Sequence, residues 1–124
     1  MVDSLFTIHH ASLIVSNTQT SLKFYCDVLG MEQTERPDLG FPGAWLQIGA
    51  QQIHLLELPN PDPTTGRPEH GGRDRHVALM VAQLEPIKDR LDKHNVAYTL
   101  SISGRRAFFC RDFDGNAIEI IERP

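Results

Sequence analysis

The stretch Ile8-His9-His10-Ala11-Ser12-Leu13-Ile14-Val15 has the pattern of a β-strand that begins with imidazole side chains. A similar stretch, His76-Val77-Ala78-Leu79-Met80-Val81, repeats the pattern His-x-x-Leu-x-Val 66 positions after His10. A second pair of stretches, Ile53-His54-Leu55-Leu56-Glu57 and Ile118-Glu119-Ile120-Ile121-Glu122, is separated by 65 positions. Repeats at a fixed spacing are typical of a duplicated module, so the chain is predicted to contain two copies of one folding unit.

Each copy is predicted to have the same order of elements, β-α-β-β-β. The first copy, at about 7–58, has a helical pattern over 18–28 and a hairpin around Gly49-Ala50. The second copy, at about 75–122, repeats this order as a single strand, a helix and three further strands. Residues 59–74 hold four of the eight prolines, so this linker either separates the modules or covers a site as a flap. The predicted fold class is α+β, with a curled mixed sheet.

Length and composition limit the possible function classes. A chain of 124 residues with net charge −4 is typical of one globular domain, and it has no basic run that favours nucleic acid. No apolar stretch approaches the ~20 residues that a membrane span needs. The start, Met1-Val2-Asp3-Ser4, lacks the pattern of a signal peptide, and Cys26 and Cys110 have no CxxC spacing. We therefore expect a cytoplasmic protein with reduced thiols.

Four of the repeated positions carry side chains that can bind a metal: His10, His54, His76 and Glu119. A lone histidine on a strand is more often a structural group, and it is the matched placement within a repeat that favours a metal site. Strand alternation places each of the four on the less uniformly aliphatic face of its strand. Two such sheets facing each other would bring three imidazoles and one carboxylate together. This set suits Zn, Ni, Co, Fe(II) or Mn and leaves positions for water or a chelating substrate.

The same stretches resemble the vicinal oxygen chelate superfamily, which includes glyoxalase I, bleomycin-resistance proteins and extradiol dioxygenases. The resemblance covers nearly the whole chain, and Phe113 stands where the superfamily usually has Pro. It is carried by His10 to Val15, by the helix end Phe24-Tyr25 with Leu29-Gly30, by Arg75 to Leu79, and by Asp112-Phe113-Asp114-Gly115-Asn116 with Glu119.

The resemblance implies that two βαβββ modules curl around a divalent metal, with His10, His76 and Glu119 at the usual ligand positions. Bacterial glyoxalase I typically has Glu where this chain has His54, which leaves Glu119 as the one carboxylate able to move a proton. The implied function is a metal-dependent lyase or isomerase of glyoxalase I type, in which the metal stabilises an enediolate-like intermediate. The alternatives are an Fe(II) or Mn(II) dioxygenase-like enzyme and a non-catalytic small-molecule binding protein of the resistance type. A homodimer is also expected, because two-module chains of this superfamily often complete their sites across a dimer interface.

A second set of residues is predicted to contact the small-molecule substrate: Ser12, Phe41, Trp45 and Arg75. The two aromatic residues flank Pro42-Gly43 and either wall the cavity or pack in the fold. Several arginines either recognise an anionic group or lie on a solvated rim: Arg73, Arg75, Arg105 and Arg106. We expect His9 to be structural and His70 and His94 to be solvated, whereas Cys110 faces either the site or the core.

Overall fold

The computed structural model describes residues 4–124, so the expectation drawn from residues 1–3 lies outside the described residues. Two mixed four-stranded sheets form the fold, and each belongs to one module. The strand order is β1-β4-β3-β2 in the first sheet and β5-β8-β7-β6 in the second. The predicted α+β fold with two repeated βαβββ modules is confirmed. The strands are β1 (His10–Val15), β2 (Glu32–Thr34), β3 (Gly43–Ile48), β4 (Gln51–Glu57), β5 (His76–Val81), β6 (Tyr98–Leu100), β7 (Ala107–Arg111) and β8 (Ala117–Glu122).

One helix follows the first strand of each module. Helix α1 (Thr18–Leu22) begins after Asn17, whose side chain accepts a backbone N–H of the first turn at 2.9 Å, and it continues as a π-helical segment, Lys23–Val28. Gly30 ends this helix with φ +82°, a conformation that favours glycine. Helix α2 (Glu85–Lys93) occupies the equivalent place in the second module. Of the helices in residues 4–124, none is long and apolar enough to cross a bilayer.

The last strand of each module ends in a glutamate that anchors the helix of the same module. Glu57 Oε1 accepts the backbone N–H of Thr18 at 2.7 Å, and Glu122 Oε1 accepts that of Leu84 at 3.0 Å. A carboxylate at a helix N-terminus satisfies a free donor and complements the helix dipole. These two glutamates are therefore repeated for a structural reason.

Alternation along the strands gives each sheet a packed face and an open face. On β5, His76, Ala78 and Met80 are exposed, whereas the aliphatic residues between them are half-buried. The packed faces and the helices form one continuous core that includes Tyr25, Leu55, Phe108 and Ile118. The predicted division of the strands into an aliphatic face and a ligand-bearing face is confirmed.

The turn at residues 112–116 holds the two modules together. The buried hydroxyl of Tyr25 donates to the carboxylate of Asp112 at 2.6 Å. The side-chain amide of Asn116 donates to the backbone carbonyl of Ile14 at 3.0 Å. Burial raises the pKa of the Asp112 carboxyl, although hydrogen bonds from Tyr25 and Asn116 oppose that rise. The turn motif that carries the resemblance is therefore an inter-module clasp.

The linker at residues 59–74 is tied to the second sheet by an ion-pair network. Asp74 Oδ2 lies 2.8 Å from Arg67 Nε and 2.8 Å from Arg111 Nη1. Arg111 also donates to the backbone carbonyl of Pro68 at 2.6 Å. Hydrogen bonds from the two guanidinium groups hold the pKa of Asp74 well below its usual range. Of the two interpretations of this linker, the structure favours an anchored boundary between the modules.

Candidate functional site

The open face of the first sheet brings two of the predicted ligands together. The imidazole rings of His10 and His54 are stacked, with their centroids 3.9 Å apart and their planes 17° apart. The indole of Trp45 also stacks on His54, at 4.3 Å and 7°. The strand register places Trp45 directly beside His54 on β3 and Ser12 beside it on β1. Trp45, His54 and Ser12 therefore form one cross-strand row.

Hydrogen bonds orient the ring of His54. Its Nε2 lies 2.8 Å from Gln52 Oε1, while the Gln52 amide donates to Gln47 Oε1 at 2.9 Å. With Gln52 Oε1 as the acceptor, Nε2 carries the proton and Nδ1 carries the lone pair that a metal needs. Burial, followed by the nearby His10, His9 and Arg36, lowers the pKa of His54, and the neutral form is the one that ligates.

The second sheet brings the other two predicted ligands together. His76 Nε2 lies 3.2 Å from Glu119 Oε1, and the carboxylate side chain is only 3% exposed. His76 Nδ1 lies 2.8 Å from the backbone carbonyl of Asp74, which can only accept, so Nδ1 carries the proton. In neutral His76 the Nε2 atom then presents a lone pair toward Glu119. A cation shared by the two groups would satisfy both, and this donor pair therefore fits a divalent metal.

Two further residues lie near this pair: Phe109, which the sequence did not place in the site, and Arg105, one of the arginines expected either to recognise an anion or to lie on a solvated rim. Phe109 lies beside Glu119 in the β7–β8 register, and its ring packs edge-on against His76 at 5.1 Å. It is the counterpart of Trp45 in the first module, so the aromatic position also follows the repeat. Arg105 Nη2 lies 3.4 Å from Glu119 Oε2. The sequence signal for Phe109 is its spacing from Trp45, since both residues precede the second hairpin of their module.

The structure does not gather all four predicted ligands into one group. Within residues 4–124, no cluster of three or more His, Cys, Asp or Glu side chains is arranged to hold a metal ion. The chain instead presents two separate two-ligand pairs, His10 with His54 and His76 with Glu119, at equivalent places in the two modules. Each pair alone provides half of the predicted ligand set.

A cleft of about 330 Å³ runs beside the second pair, and Ser12, Arg75 and His76 lie along it. The guanidinium of Arg75 reaches Asp62 in the linker at 3.0 Å. Phe41 lies under the guanidinium of Arg36, 4.9 Å from the ring centroid. The structure thus places Ser12 and Arg75 in one cleft and Trp45 on His54. The substrate contacts of these three residues and of Phe41 stay predictions.

His9 is exposed and its Nδ1 lies 2.9 Å from His10 Nδ1, so it contacts a predicted ligand, and its structural role stays a prediction. The expectation that His70 is solvated is wrong. His70 is half-buried against Phe109, with 4.9 Å between the ring centroids, because the linker folds back over the second sheet. His94 is exposed, as predicted. Cys110 belongs to the core, where burial raises its pKa to about 12.

Two βαβββ modules, each with a four-stranded mixed sheet, place the chain in a class of small α+β proteins built from a duplicated module. The chain belongs to the Glyoxalase/Bleomycin resistance protein/Dioxygenase superfamily, whose family model matches residues 7–120. The resemblance seen in the sequence is confirmed.

Individual relatives support this assignment. The chain is 28% identical over 122 residues to Glyoxylase I 4 of Arabidopsis thaliana, a match that covers 94% of this chain and 70% of the plant protein. Among solved structures, a glyoxalase family protein from Bacillus anthracis is similar with a TM-score of 0.82, 23% identity and full coverage of both chains. A fosfomycin resistance protein from Listeria monocytogenes is similar with a TM-score of 0.73 and 17% identity, over 100% of this chain and 94% of that one. At these identities the two solved structures show a shared fold.

Proposed function

We propose that this protein is a metal-dependent lyase or isomerase of glyoxalase I type that acts on a small oxygen-chelating substrate. The main support is the pair formed by His76 and Glu119. The Nε2 lone pair of His76 faces Oε1 of the buried Glu119 carboxylate at 3.2 Å, and a divalent cation would satisfy both groups. The candidate metals remain Zn, Ni, Co, Fe and Mn, since imidazole and carboxylate ligands suit all of them.

The complete site would combine the two pairs, with His10 and His54 from one module and His76 and Glu119 from another. Because the described residues of one chain keep the pairs apart, we propose that they meet across a homodimer. Two observations support this proposal. Both open faces lie at the surface of the single chain, and Met80 on the open face of β5 is 58% exposed. An interface would remove such an apolar side chain from water.

The proposed chemistry assigns the proton transfer to Glu119. A bound metal would supply Lewis-acid polarisation of a substrate carbonyl oxygen. Glu119 belongs to the proposed metal-binding pair and is 2% exposed, so its carboxylate is positioned to accept and return a proton with little access of water to it. Glu57 and Glu122 are occupied as helix anchors and have no part in this step.

The substrate would lie between aromatic walls and a polar cleft. Trp45 and Phe109 provide the apolar surfaces, one beside each pair. Ser12 and Arg75 line the cleft that begins at His76, and its volume of about 330 Å³ suits a small molecule. Phe41, next to the start of β3, is a further proposed contact.

Metal content tests the proposal directly. We would measure bound metal by elemental mass spectrometry in the wild type, in His54→Ala, in His76→Ala and in the control His94→Ala, whose histidine is exposed beyond α2. Near-stoichiometric metal is expected in the wild type and the control, and little in the other two variants. A wild type that stays free of metal after reconstitution would contradict the proposal.

Turnover is tested separately with the hemithioacetal of methylglyoxal and glutathione. Conversion by the wild type should be lost in Glu119→Ala while circular dichroism shows an intact fold. Oxygen uptake with a catechol and ferrous iron would instead favour a dioxygenase-like enzyme.

A non-catalytic small-molecule binding protein is the second candidate function. It is favoured by one observation, that the described residues of a single chain do not assemble a complete ligand set. A binding protein would show ligand-induced thermal stabilisation without product formation, and its ligand affinity would not depend on added metal.

A further inference from the structure

Glu119 has an unusual second partner. The carboxylate is 2% exposed, and its Oε2 lies 3.4 Å from Nη2 of Arg105, whose own side chain is 59% exposed. Arg105 lies in the loop between β6 and β7, where Ser103 Oγ accepts its Nε at 3.1 Å and its backbone N–H at 3.3 Å. An exposed loop arginine thus reaches inward to a buried carboxylate.

The neighbouring arginine makes entirely different contacts. Arg106 pairs with Glu122 and with Glu85 on the surface of the second module, where Nη2 lies 3.0 Å from Glu85 Oε1. Arg106 therefore carries the same charge one residue away without a contact to Glu119. The chain itself provides a matched control for the role of Arg105.

Glu119 is a buried carboxylate whose second partner is a cation. A buried carboxylate without such a partner is costly, so Arg105 stabilises it when no metal is bound. A guanidinium and a divalent cation bound to the same carboxylate repel each other. Because ion pairs of exposed side chains are weak, the exposed Arg105 can leave Glu119 at little cost in free energy. Once Arg105 has left Glu119, the N–H donors of its guanidinium lie beside the site. Their geometry suits hydrogen bonds to a carboxylate or phosphate.

We propose that Arg105 is an exchangeable partner of Glu119. It neutralises the buried carboxylate in the metal-free protein, yields it to the metal, and then binds an anionic group of the substrate. The substrate class is thereby narrowed to small molecules that carry a carboxylate or phosphate in addition to their chelating oxygens. This inference rests on the proposed function, because it uses Glu119 as a metal ligand.

The test compares Arg105→Gln with Arg106→Gln, two variants with the same net charge. Co²⁺ affinity is measured by spectroscopic titration of the metal-free proteins. Malate affinity is measured by calorimetry of the Co²⁺-loaded proteins, because malate chelates a metal through its hydroxyl and one carboxylate and keeps a second carboxylate free. Arg105→Gln should bind Co²⁺ about 2- to 5-fold more tightly, since a competing ion pair of ordinary strength is gone. It should bind malate about 10-fold more weakly, since a charge-assisted hydrogen bond is lost. Arg106→Gln should match the wild type in both measurements.

Opposite signs for the two affinities are the signature of exchange. Equal behaviour of the two variants, or weaker Co²⁺ binding by Arg105→Gln, would overturn the inference and leave the metal site in place. Arg105→Lys should stay near the wild type for Co²⁺, which shows that the charge is the competing group. A wild type that binds no Co²⁺ would overturn the proposed function itself, and this inference with it.

Discussion

The clasp between Tyr25 and Asp112 predicts a measurable loss of stability in Tyr25→Phe. The substitution keeps the buried ring and removes only the hydroxyl that donates to Asp112 Oδ2 at 2.6 Å. Because Asn116 still donates to this oxygen at 2.9 Å, the carboxylate keeps one of its two side-chain donors. Loss of a buried hydrogen bond to a charged group should lower the free energy of unfolding by about 1.5–3 kcal/mol.

Urea denaturation at pH 7 measures this loss as a lower midpoint with an unchanged slope. Tyr98→Phe is the control, since its hydroxyl faces Asp92 at the surface, and its midpoint should stay near that of the wild type. A loss for Tyr25→Phe below about 0.5 kcal/mol, within the range of ordinary surface changes, would refute the assignment of the clasp.

The pH dependence provides a second check on the clasp. Burial raises the pKa of Asp112 in the folded protein. The protonated carboxyl therefore contributes its full stability at pH values below the ordinary carboxyl pKa, and this contribution is lost as pH rises through the raised pKa. The Tyr25 hydroxyl limits that loss by stabilising the charged carboxylate. The loss of stability in Tyr25→Phe should therefore be largest at neutral pH and shrink as Asp112 becomes protonated. A loss that is constant across pH would contradict this prediction.

Three further predictions follow from other parts of the fold. Asp74→Asn should lower the free energy of unfolding by about 1–2 kcal/mol at pH 7 in urea denaturation, because it removes the negative charge and one of the two carboxylate oxygens that hold two guanidinium groups. Because the pKa of Asp74 is depressed, its stabilising contribution is present at pH values above the ordinary carboxyl pKa and declines as pH falls through the depressed pKa. An Asp74→Asn effect as large in acid as at pH 7 would contradict this prediction. Trp45 is the one tryptophan of the chain and stacks on His54, so Ni²⁺ binding should change its fluorescence, and His54→Ala should abolish that response. Native protein should react with a thiol reagent at half-buried Cys26 and not at Cys110, whose pKa is about 12, whereas both should react in denaturant.

The elements that the sequence predicted well are those fixed by local or repeated signals. The helical pattern predicted over 18–28 matches the observed helix, whose ends are fixed by short-range capping at Asn17 and Gly30. The fixed offset between the copies revealed the repeated order of elements, and strand alternation revealed the faces that carry His10 and His76. The repeated Glu57 and Glu122 were visible too, but their role as helix anchors depends on strands and helices coming together in three dimensions.

The features that the sequence could not predict depend on long-range packing. The spacing of Phe109 from Trp45 is a weak sequence signal, and it is the β7–β8 register that shows Phe109 beside Glu119. Arg105 lies in a loop with no periodicity, so nothing in the pattern indicates that it reaches a buried carboxylate. His70 was expected in solvent because its linker is polar, yet the Asp74 network folds that linker onto the second sheet.

Subunit complementation tests the central claim, that the pair in one module and the pair in another module form a single metal site. His54→Ala and His76→Ala are purified separately, mixed under conditions that exchange subunits, and assayed for bound Co²⁺. In a mixed dimer with sites across its interface, one site combines the intact His10–His54 pair of the His76→Ala subunit with the intact His76–Glu119 pair of the His54→Ala subunit. The other site combines the two damaged pairs. Random exchange should therefore restore about one quarter of the wild-type Co²⁺ sites. No recovery from two variants that exchange subunits, each unable to bind Co²⁺ alone, would contradict a site shared between modules of different chains.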